Sequence, residues 1–513
     1  MKKKSFIGSA ITLMIAGLIV RVLGFVYRVY LSNLIGAEGM GLFQLISPVY
    51  SLIILTLTSG MSIAVSRMVA AQTAKNNNIN SRRITICALL ITCAAGTIIS
   101  LFLLMNINFV INQIMKDTRT YYSFLLILPN IPIIAASSAL KGYFYGMQDV
   151  TPTAVSQVVE QVVRISLVMI ISSRYIGLGI EYACALATIG MVLGEISNLL
   201  VLIIVYNLRK KDEYKLRTQR NLMRKRVIVS QLLKISVPIS MNRFITSMMS
   251  TVEYIMIPRM LLMGGIDYKA SMEQYGRLTG MAMPLIFFPS LVTSSIATTL
   301  IPAIAEAVSK KNMRSINYRI NQSLQITFVL GFLFSSIFMA YSNEIGNLFY
   351  ARENIGSLLY TLSFTCIFIY LQQTMTGILN GLGKQAVSLR NGIIGNAIRI
   401  CLIYFLMPAY GIESYIWSII ASYLVVVLMN FYVVVKTTSL IFNIRNWILK
   451  PGLIGIILLM TSKYVKSFYE IFLLNTKITV LLSLGTTIFV GIFLMITAGV
   501  ISRGEIKKII GLK

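Results

Sequence analysis

The sequence predicts an all-α integral membrane protein of about 14 transmembrane helices, in which two six-helix pseudo-repeat lobes surround a central cavity and two extra helices follow at the C-terminus. Three observations lead to this fold class. Hydrophobic residues make up 56% of the 513 residues and charged residues only 12%, about half the charged fraction of a soluble protein. Apolar stretches long enough to cross a bilayer follow one another almost end to end. Segments of the first half also recur in the second half.

The first hydrophobic stretch follows the basic start MKKK and resembles a signal peptide. Its apolar residues continue past Arg21 to Leu34 without a small-residue cleavage site, so we expect an uncleaved first span. The spans can be drawn at roughly 6–34, 41–71, 84–110, 121–144, 152–175, 180–206, 230–263, 276–306, 320–342, 357–380, 386–409, 412–435, 447–465 and 474–501.

The basic residues indicate how the chain is oriented in the membrane. Net charge is +29, from 46 Lys and Arg against 17 Asp and Glu. With the N-terminus inside, about thirty of these bases fall in inner loops and tails and about eight in outer loops, which predicts cytoplasmic N- and C-termini. The short basic loops favour contact with anionic membrane lipids and no nucleic-acid binding.

The longest polar stretch divides the chain. The segment 207–229 is predicted to be a basic cytoplasmic linker between an N-terminal lobe of spans 1–6, residues 1–206, and a C-terminal lobe of spans 7–12, residues 230–440. Residues 441–513 then hold spans 13 and 14 and a cytoplasmic tail.

The two halves share sequence matches at a nearly constant offset. Residues 48–76 align without gaps on 284–312, an offset of 236, with matches that include Pro48/Pro284 and Asn76/Asn312. Residues 145–168 align on 380–403 at an offset of 235, and these matches include Gly146/Gly381 and Arg164/Arg399. Six spans per half predict parallel repeats related by an axis along the membrane normal, an arrangement that supports alternating access.

Basic side chains inside the spans indicate the cargo. Arg21 and Arg28 lie seven residues apart in the first span and should project from one helix face. Since a charge at the bilayer centre costs at least about 2.5 kcal/mol, we expect them to face a watery interior, although Arg28 could instead snorkel to the interface. Similar positions are held by Arg164, Lys234, Arg243, Arg259, Arg277 and Arg399. Guanidinium groups suit an anion, above all a phosphate.

Acids within the spans leave two interpretations open. Glu253 could bind a coupling cation such as Na⁺ or H⁺, or could form a structural pair with an arginine. Glu160 and Arg164 are spaced i,i+4 and are interpreted as a structural pair. The chain has no histidine and no G-x-x-x-x-G-K-[ST] loop, and its five cysteines lie in apolar segments, so we expect neither an enzyme nor a metal site or a resident cofactor.

Several motifs resemble the multidrug/oligosaccharidyl-lipid/polysaccharide (MOP) superfamily. These are RVLGFVYR (21–28), GAEGMGLFQLISP (36–48), SSALKGYFYGMQDVTPTAVSQVVEQVVRISLV (137–168), EQYGRLTG (273–280) and TTLIPAIAE (298–306). Within the superfamily the chain is similar to polysaccharide transporters, MurJ-like lipid II flippases and a branch of sporulation proteins. The resemblance implies a two-lobed bundle in a bacterial plasma membrane.

The resemblance also implies a cargo, namely an undecaprenyl-pyrophosphate-linked peptidoglycan precursor, in this branch that of the spore cortex. Arg21 matches the family's first-span arginine and Arg277 its eighth-span arginine, whereas Arg28 lies one residue beyond the second family position. Ser51 and Leu52 stand where the family has another cavity arginine. The substrate site is therefore expected at Arg21, Arg28, Arg243, Arg259 and Arg277, with Glu253 as a possible ion-coupling residue.

Two other functions stay open at this stage. A cation-coupled multidrug exporter of the same superfamily would suit Glu253 but not the arginines of the first span. A membrane scaffold for wall-synthesis enzymes, which are also possible partners of a flippase, would gain nothing from charges inside the membrane.

Overall fold

The computed structural model describes residues 6–75, 77–175, 179–213, 222–440, 442–472 and 476–500. Within these ranges every regular element is helical. The chain separates into two compact units, which we call unit 1 (Met1–Ile255) and unit 2 (Met256–Lys513).

Unit 1 begins with helix α1, Phe6–Thr73, which has 68 residues and a bend at Gly36. At 1.5 Å per residue such a helix is about 100 Å long, more than twice the length that one crossing needs. The bend occurs where Gly36 adopts a φ of 69°, a conformation that glycine reaches without steric strain. The helix therefore contains the first two predicted spans joined through a glycine bend.

The rest of unit 1 follows in chain order. Its helices are α2 (Asn78–Met105), α3 (Ile107–Phe109), a π-helical turn (Val110–Met115), a 3₁₀ turn (Thr118–Thr120), α4 (Tyr121–Ile127), α5 (Asn130–Gly146), α6 (Thr151–Tyr175), α7 (Ile180–Glu213) and α8 (Lys225–Met263). The segments Thr118–Ile127 and Asn130–Gly146 are bent by 40° at the break around Pro129.

Unit 2 repeats this series and then adds a helical hairpin. Its elements are α9 (Tyr268–Tyr275), a π-helical turn (Gly276–Ala282), α10 (Met283–Phe287), α11 (Ser290–Ser309), α12 (Met313–Ala340), α13 (Ser342–Tyr350), α14 (Gly356–Ser363), α15 (Cys366–Gly381), α16 (Gln385–Tyr410), α17 (Ile412–Thr438), a π-helical turn (Arg445–Leu449), α18 (Lys450–Phe472) and α19 (Thr476–Thr497). Helices α14 and α15 are bent by 49°.

The all-α membrane fold class is confirmed. Among the described residues, 10 helices are long and apolar enough to cross a membrane, or up to 12 if each bent pair is one span. The total of 14 stays a prediction. Helix α1 is counted as one of these membrane-length helices although it contains two predicted spans, and α8 is not among them. Lys234, Arg243 and Arg259 lower the hydropathy of α8, which was predicted as the seventh span.

The internal repeat is visible in the helix boundaries. Helices α2 and α12 each have 28 residues and begin at Asn78 and Met313, which is an offset of 235. Asn77 caps α2 by accepting a hydrogen bond from the backbone N–H three residues ahead, and Asn312 caps α12 in the same way. The caps therefore match Asn312 with Asn77, whereas Asn76, which the sequence matched with Asn312, lies outside the described residues.

The division between the units lies inside α8, after the predicted linker 207–229, of which residues 214–221 are outside the described part. The first half of α8 packs into unit 1, since Ile228 and Leu232 join a buried cluster with Met61, Val65 and Leu140. Gly60 of α1 allows close approach, because a Cβ atom there would lie 2.3 Å from the carbonyl oxygen of Ser236. The predicted lobe boundaries at 206, 230 and 440 stay a prediction.

Candidate functional site

The two arginines of the first span lie on the helical part of α1 before its bend. Arg21 is exposed and Arg28 is half-buried, and each takes part in an interaction. Seven residues of α-helix separate their Cα atoms by about 10 Å along the axis and return nearly to the same face. The predicted one-sided placement of the two guanidiniums in unit 1 agrees with this geometry.

Helix α8 carries three of the predicted site residues. Arg243 is exposed within an exposed run from Met241 to Ile245. Glu253 has only 3% of its surface exposed, and Arg259 is half-buried. Glu253 and Arg259 each take part in an interaction. Glu253 is therefore a deeply buried acid, as its position within a predicted span requires.

Arg277 lies in the π-helical turn Gly276–Ala282 of unit 2 and contacts two carboxylates. Its Nε donates to Oε2 of Glu353 at 3.2 Å, and its Nη2 donates to Oε2 of Glu273 at 3.4 Å. About a third of the Arg277 side chain, 35%, remains exposed. Single π-helical turns often occur at functional sites, because the extra residue turns side chains out of the regular helical register. The sequence did not indicate the pairing with Glu353, which lies 76 residues away.

A buried polar cluster between α6 and α7 was only partly anticipated. The predicted i,i+4 pair forms, with Arg164 Nη2 at 2.6 Å from Oε1 of Glu160. The fully buried Asn198 joins this pair to a second acid, since its Nδ2 donates to Oε2 of Glu160 at 3.2 Å and to Oε1 of Glu195 at 2.9 Å. We call Glu160, Arg164, Glu195 and Asn198 the acid cluster.

Helices α1 and α5 add polar groups around the acid cluster. Ser137 lies beside Glu195, with its hydroxyl donating to the Ile133 carbonyl oxygen at 3.1 Å, and the Lys141 ammonium lies close enough to act on the Glu195 charge. Tyr50 accepts a hydrogen bond of 2.7 Å from Nδ2 of Asn130, and its hydroxyl is also within electrostatic reach of Glu195. The sequence feature that could have indicated this cluster is the i,i+3 spacing of Glu195 and Asn198, which places both side chains on one face of α7.

The matching place in unit 2 has a different environment. Arg399, which matches Arg164, donates from Nε to the Ser422 hydroxyl at 2.8 Å. Its guanidinium carbon also lies 4.4 Å from the centre of the Tyr423 ring. Nearby, Nδ2 of Asn391 donates to Oδ1 of Asn430 at 2.9 Å. Here the arginine is stabilised by a hydroxyl and an aromatic face.

No group of three or more Cys, Asp or Glu side chains suited to a metal ion occurs in the part of the chain that the structure describes. Cys87, Cys93, Cys184, Cys366 and Cys401 are free thiols.

Comparison with known proteins places the chain in a family. The family model "Polysaccharide biosynthesis protein" matches residues 7–308. The chain is 31% identical over 458 residues to stage V sporulation protein B of Bacillus subtilis (strain 168), a match that covers 89% of this chain and 88% of the relative. It is 25% identical over 442 residues to the lipid II flippase MurJ of the same organism, covering 81% and 79%.

A solved structure has the same fold. The inward closed conformation of lipid II flippase MurJ superposes with a TM-score of 0.71 at 15% identity, covering 94% of this chain and 98% of the other. Together these matches confirm the predicted MOP resemblance and the predicted class, a multi-pass membrane transport protein and not an enzyme. The chain thus belongs to the polysaccharide biosynthesis protein family of membrane proteins.

Proposed function

We propose that the chain is a flippase that moves an undecaprenyl-pyrophosphate-linked cell-wall precursor across the bacterial plasma membrane by alternating access. Peptidoglycan is the proposed polymer, and the relative named stage V sporulation protein B supports a spore-cortex precursor. The observation that carries the proposal is the pair Arg21 and Arg28, two cations on one face of a membrane helix. The relative named lipid II flippase MurJ supports the same class of cargo.

The physical task of a flippase explains why arginine is useful here. The polyprenyl tail stays in the bilayer, whereas the pyrophosphate and sugars must leave water during the crossing. A guanidinium offers two parallel donors to phosphate oxygens and remains charged at any cellular pH. Arg21 supplies an exposed guanidinium, and Arg28, Arg243, Arg259 and Arg277 are proposed to act with it.

Arg277 suggests how substrate contact is controlled. Glu273 and Glu353 already hold its guanidinium, and the weaker geometry of the 3.4 Å contact makes that pairing exchangeable. A pyrophosphate would have to displace one carboxylate, which keeps the guanidinium oriented and neutralised until the cargo arrives. We propose that removing the Glu353 carboxylate strengthens substrate binding.

Glu253 is proposed as a coupling residue for Na⁺ or H⁺, with a structural pairing to arginine as the alternative. Its burial at 3% exposure makes the ionised form expensive unless a cation or a donor compensates it. The same acid favours a cation-coupled multidrug exporter as the second candidate function. An exporter of organic cations would not need Arg21.

A flipping assay tests the proposal. The purified protein is placed in proteoliposomes with defined lipid-linked substrates, and we expect Arg21→Ala to abolish flipping while Arg21→Lys retains part of it, because each charged hydrogen bond contributes about 1.5–3 kcal/mol. Lys310→Ala is the matched control, since Lys310 is an exposed cation paired with Glu306 at 2.6 Å. Glu353→Gln should bind substrate more tightly. Full activity of Arg21→Ala, or transport of organic cations instead, would contradict the flippase.

A further inference from the structure

The internal repeat provides a control for the acid cluster. Helices α7 and α17 both follow a glycine with positive φ, Gly179 and Gly411, and both open with Ile-Glu. This aligns Asn198 with Asn430 and Glu195 with Val427, whereas Glu160 aligns with Gly395 through the Arg164/Arg399 match. Close contacts between the helices agree with this alignment. Gly194 lies against Glu160 in unit 1. Val426, which matches Gly194, lies against Gly395, which matches Glu160. Unit 2 therefore keeps the arginine and the asparagine but has neither acid.

Packing alone does not require the two acids. Helices α16 and α17 form the same kind of pair with glycine and valine at these positions. A buried ion pair is also seldom more stabilising than apolar residues of similar volume. Burying Glu160 and Glu195 thus has a desolvation cost that the matching positions of unit 2 do not have. This difference indicates that the two acids have a role beyond folding.

Glu195 is the acid available for such a role. Only 6% of its surface is exposed, and among the described residues no basic nitrogen lies within ion-pair distance of it. Glu160 differs, because it already pairs with Arg164. The charged or titratable groups facing Glu195 are Lys141 on α5, Glu160 and Arg164 on α6, and Tyr50 on α1. Helix α4, which also packs on α7, contributes no charged side chain.

The surroundings suit both protonation states of Glu195. The carboxylate accepts a hydrogen bond of 2.9 Å from Asn198 Nδ2. A protonated carboxyl becomes a donor and needs an acceptor. Oδ1 of Asn198 is buried and has no hydrogen-bond partner among the described residues, and the same holds for Oε1 of Gln161. A half-turn of the Asn198 amide would present that oxygen to Glu195.

We propose that Glu195 is a reversible proton-binding site of unit 1, with Asn198 as the side chain that turns to follow its protonation. A hydrated proton is taken up by one carboxylate oxygen, and deprotonation returns it to water. A metal cation fits less well, because the groups aimed at Glu195 are donors and Lys141 and Arg164 are near.

Infrared difference spectra of the reconstituted full-length protein between acidic and alkaline pH test this assignment. A buried protonated carboxyl gives a carbonyl band that ionisation removes. We expect a pH-dependent band in the wild type that is lost in Glu195→Gln and Glu195→Val. The band should be retained in Glu181→Gln, a control on the same helix, and in Glu253→Gln, which removes the other buried acid proposed to bind a cation or proton. The valine variant carries the residue found at the matching position of unit 2, so it should fold even if the glutamine variant does not.

Three results would overturn the proposal: no band in the wild type, a spectrum that is unchanged in both Glu195 variants, or removal of the Glu195-dependent band by NaCl at constant pH, which would indicate Na⁺ binding. Since no lipid-linked substrate is present, the outcome is independent of the flippase proposal. In proteoliposomes that do flip, Glu195→Gln should also remove the response of flipping to an imposed pH gradient.

Discussion

The matched arginines Arg164 and Arg399 contact different kinds of side chains. In unit 1 the guanidinium contacts Glu160, an acid joined through Asn198 to a second acid. In unit 2 it contacts the Ser422 hydroxyl and the face of Tyr423. One helix pair balances its buried cation with titratable groups and the other with groups that do not titrate at cellular pH. Packing of each helix pair, α6 with α7 and α16 with α17, therefore uses the aliphatic part and the N–H donors of the arginine. The two acids are specific to unit 1.

The largest expected effect comes from removing each arginine in turn. Arg164→Ala leaves the Glu160 carboxylate inside the helix bundle without its guanidinium partner and should destabilise the protein by about 3–5 kcal/mol. Arg399→Ala loses one hydrogen bond and a cation–π contact and should destabilise it by about 1–3 kcal/mol. Thermal unfolding in detergent at neutral pH measures both. An equal or reversed ranking would show that the acids do not determine the role of Arg164.

A smaller effect is expected where the repeat brings helices into close contact. A Cβ atom on Gly142 would lie 2.7 Å from the Ser62 carbonyl oxygen, and one on Gly377 would lie 2.7 Å from the Ala297 carbonyl oxygen. Gly142→Ala and Gly377→Ala should each destabilise the protein by about 1–3 kcal/mol through overpacking. Gly392→Ala is the control, since nothing lies within 4 Å of its Cβ position. Unequal losses measured by thermal unfolding would mean that the repeat does not extend to this interface.

The smallest effect concerns the aromatic face in unit 2. Tyr423→Leu should remove the cation–π contact with Arg399 and destabilise the protein by about 0.5–2 kcal/mol. The residue of unit 1 that matches Tyr423 is Met191. Met191→Leu should change stability by less than Tyr423→Leu does, because methionine and leucine have similar volumes. If the two substitutions have the same effect, the ring does not stabilise the guanidinium.

Much of the fold could be predicted because membrane helices carry strong local signals. Apolar length gave the spans, and the i,i+4 spacing gave the Glu160–Arg164 pair. The repeat was predictable from Pro, Gly and Arg matches, but its register near Asn76 was not. A loop that differs by one residue between the halves shifts the alignment, and only the caps at Asn77 and Asn312 fix it.

The acid cluster could not be predicted for a different reason. Asn198 reaches Glu160 across 38 residues, so the contact depends on how α6 and α7 pack and not on local spacing. The same is true of Arg277 and Glu353. Sequence patterns indicated which charges enter the membrane, whereas their partners depend on tertiary structure.

The helical hairpin that follows the repeat has a consequence for synthesis. Its seam against α12 and α13 is polar: the buried hydroxyl of Tyr341 hydrogen-bonds to the Ser462 carbonyl and the Thr487 hydroxyl, and Lys466 pairs with Glu344. Helices α18 and α19 follow the repeat in the chain and leave the ribosome after it, so until they arrive the Tyr341 hydroxyl and the Glu344 carboxylate lack these partners. The nascent chain therefore passes through an interval in which the repeat has been made but this polar surface is still uncovered.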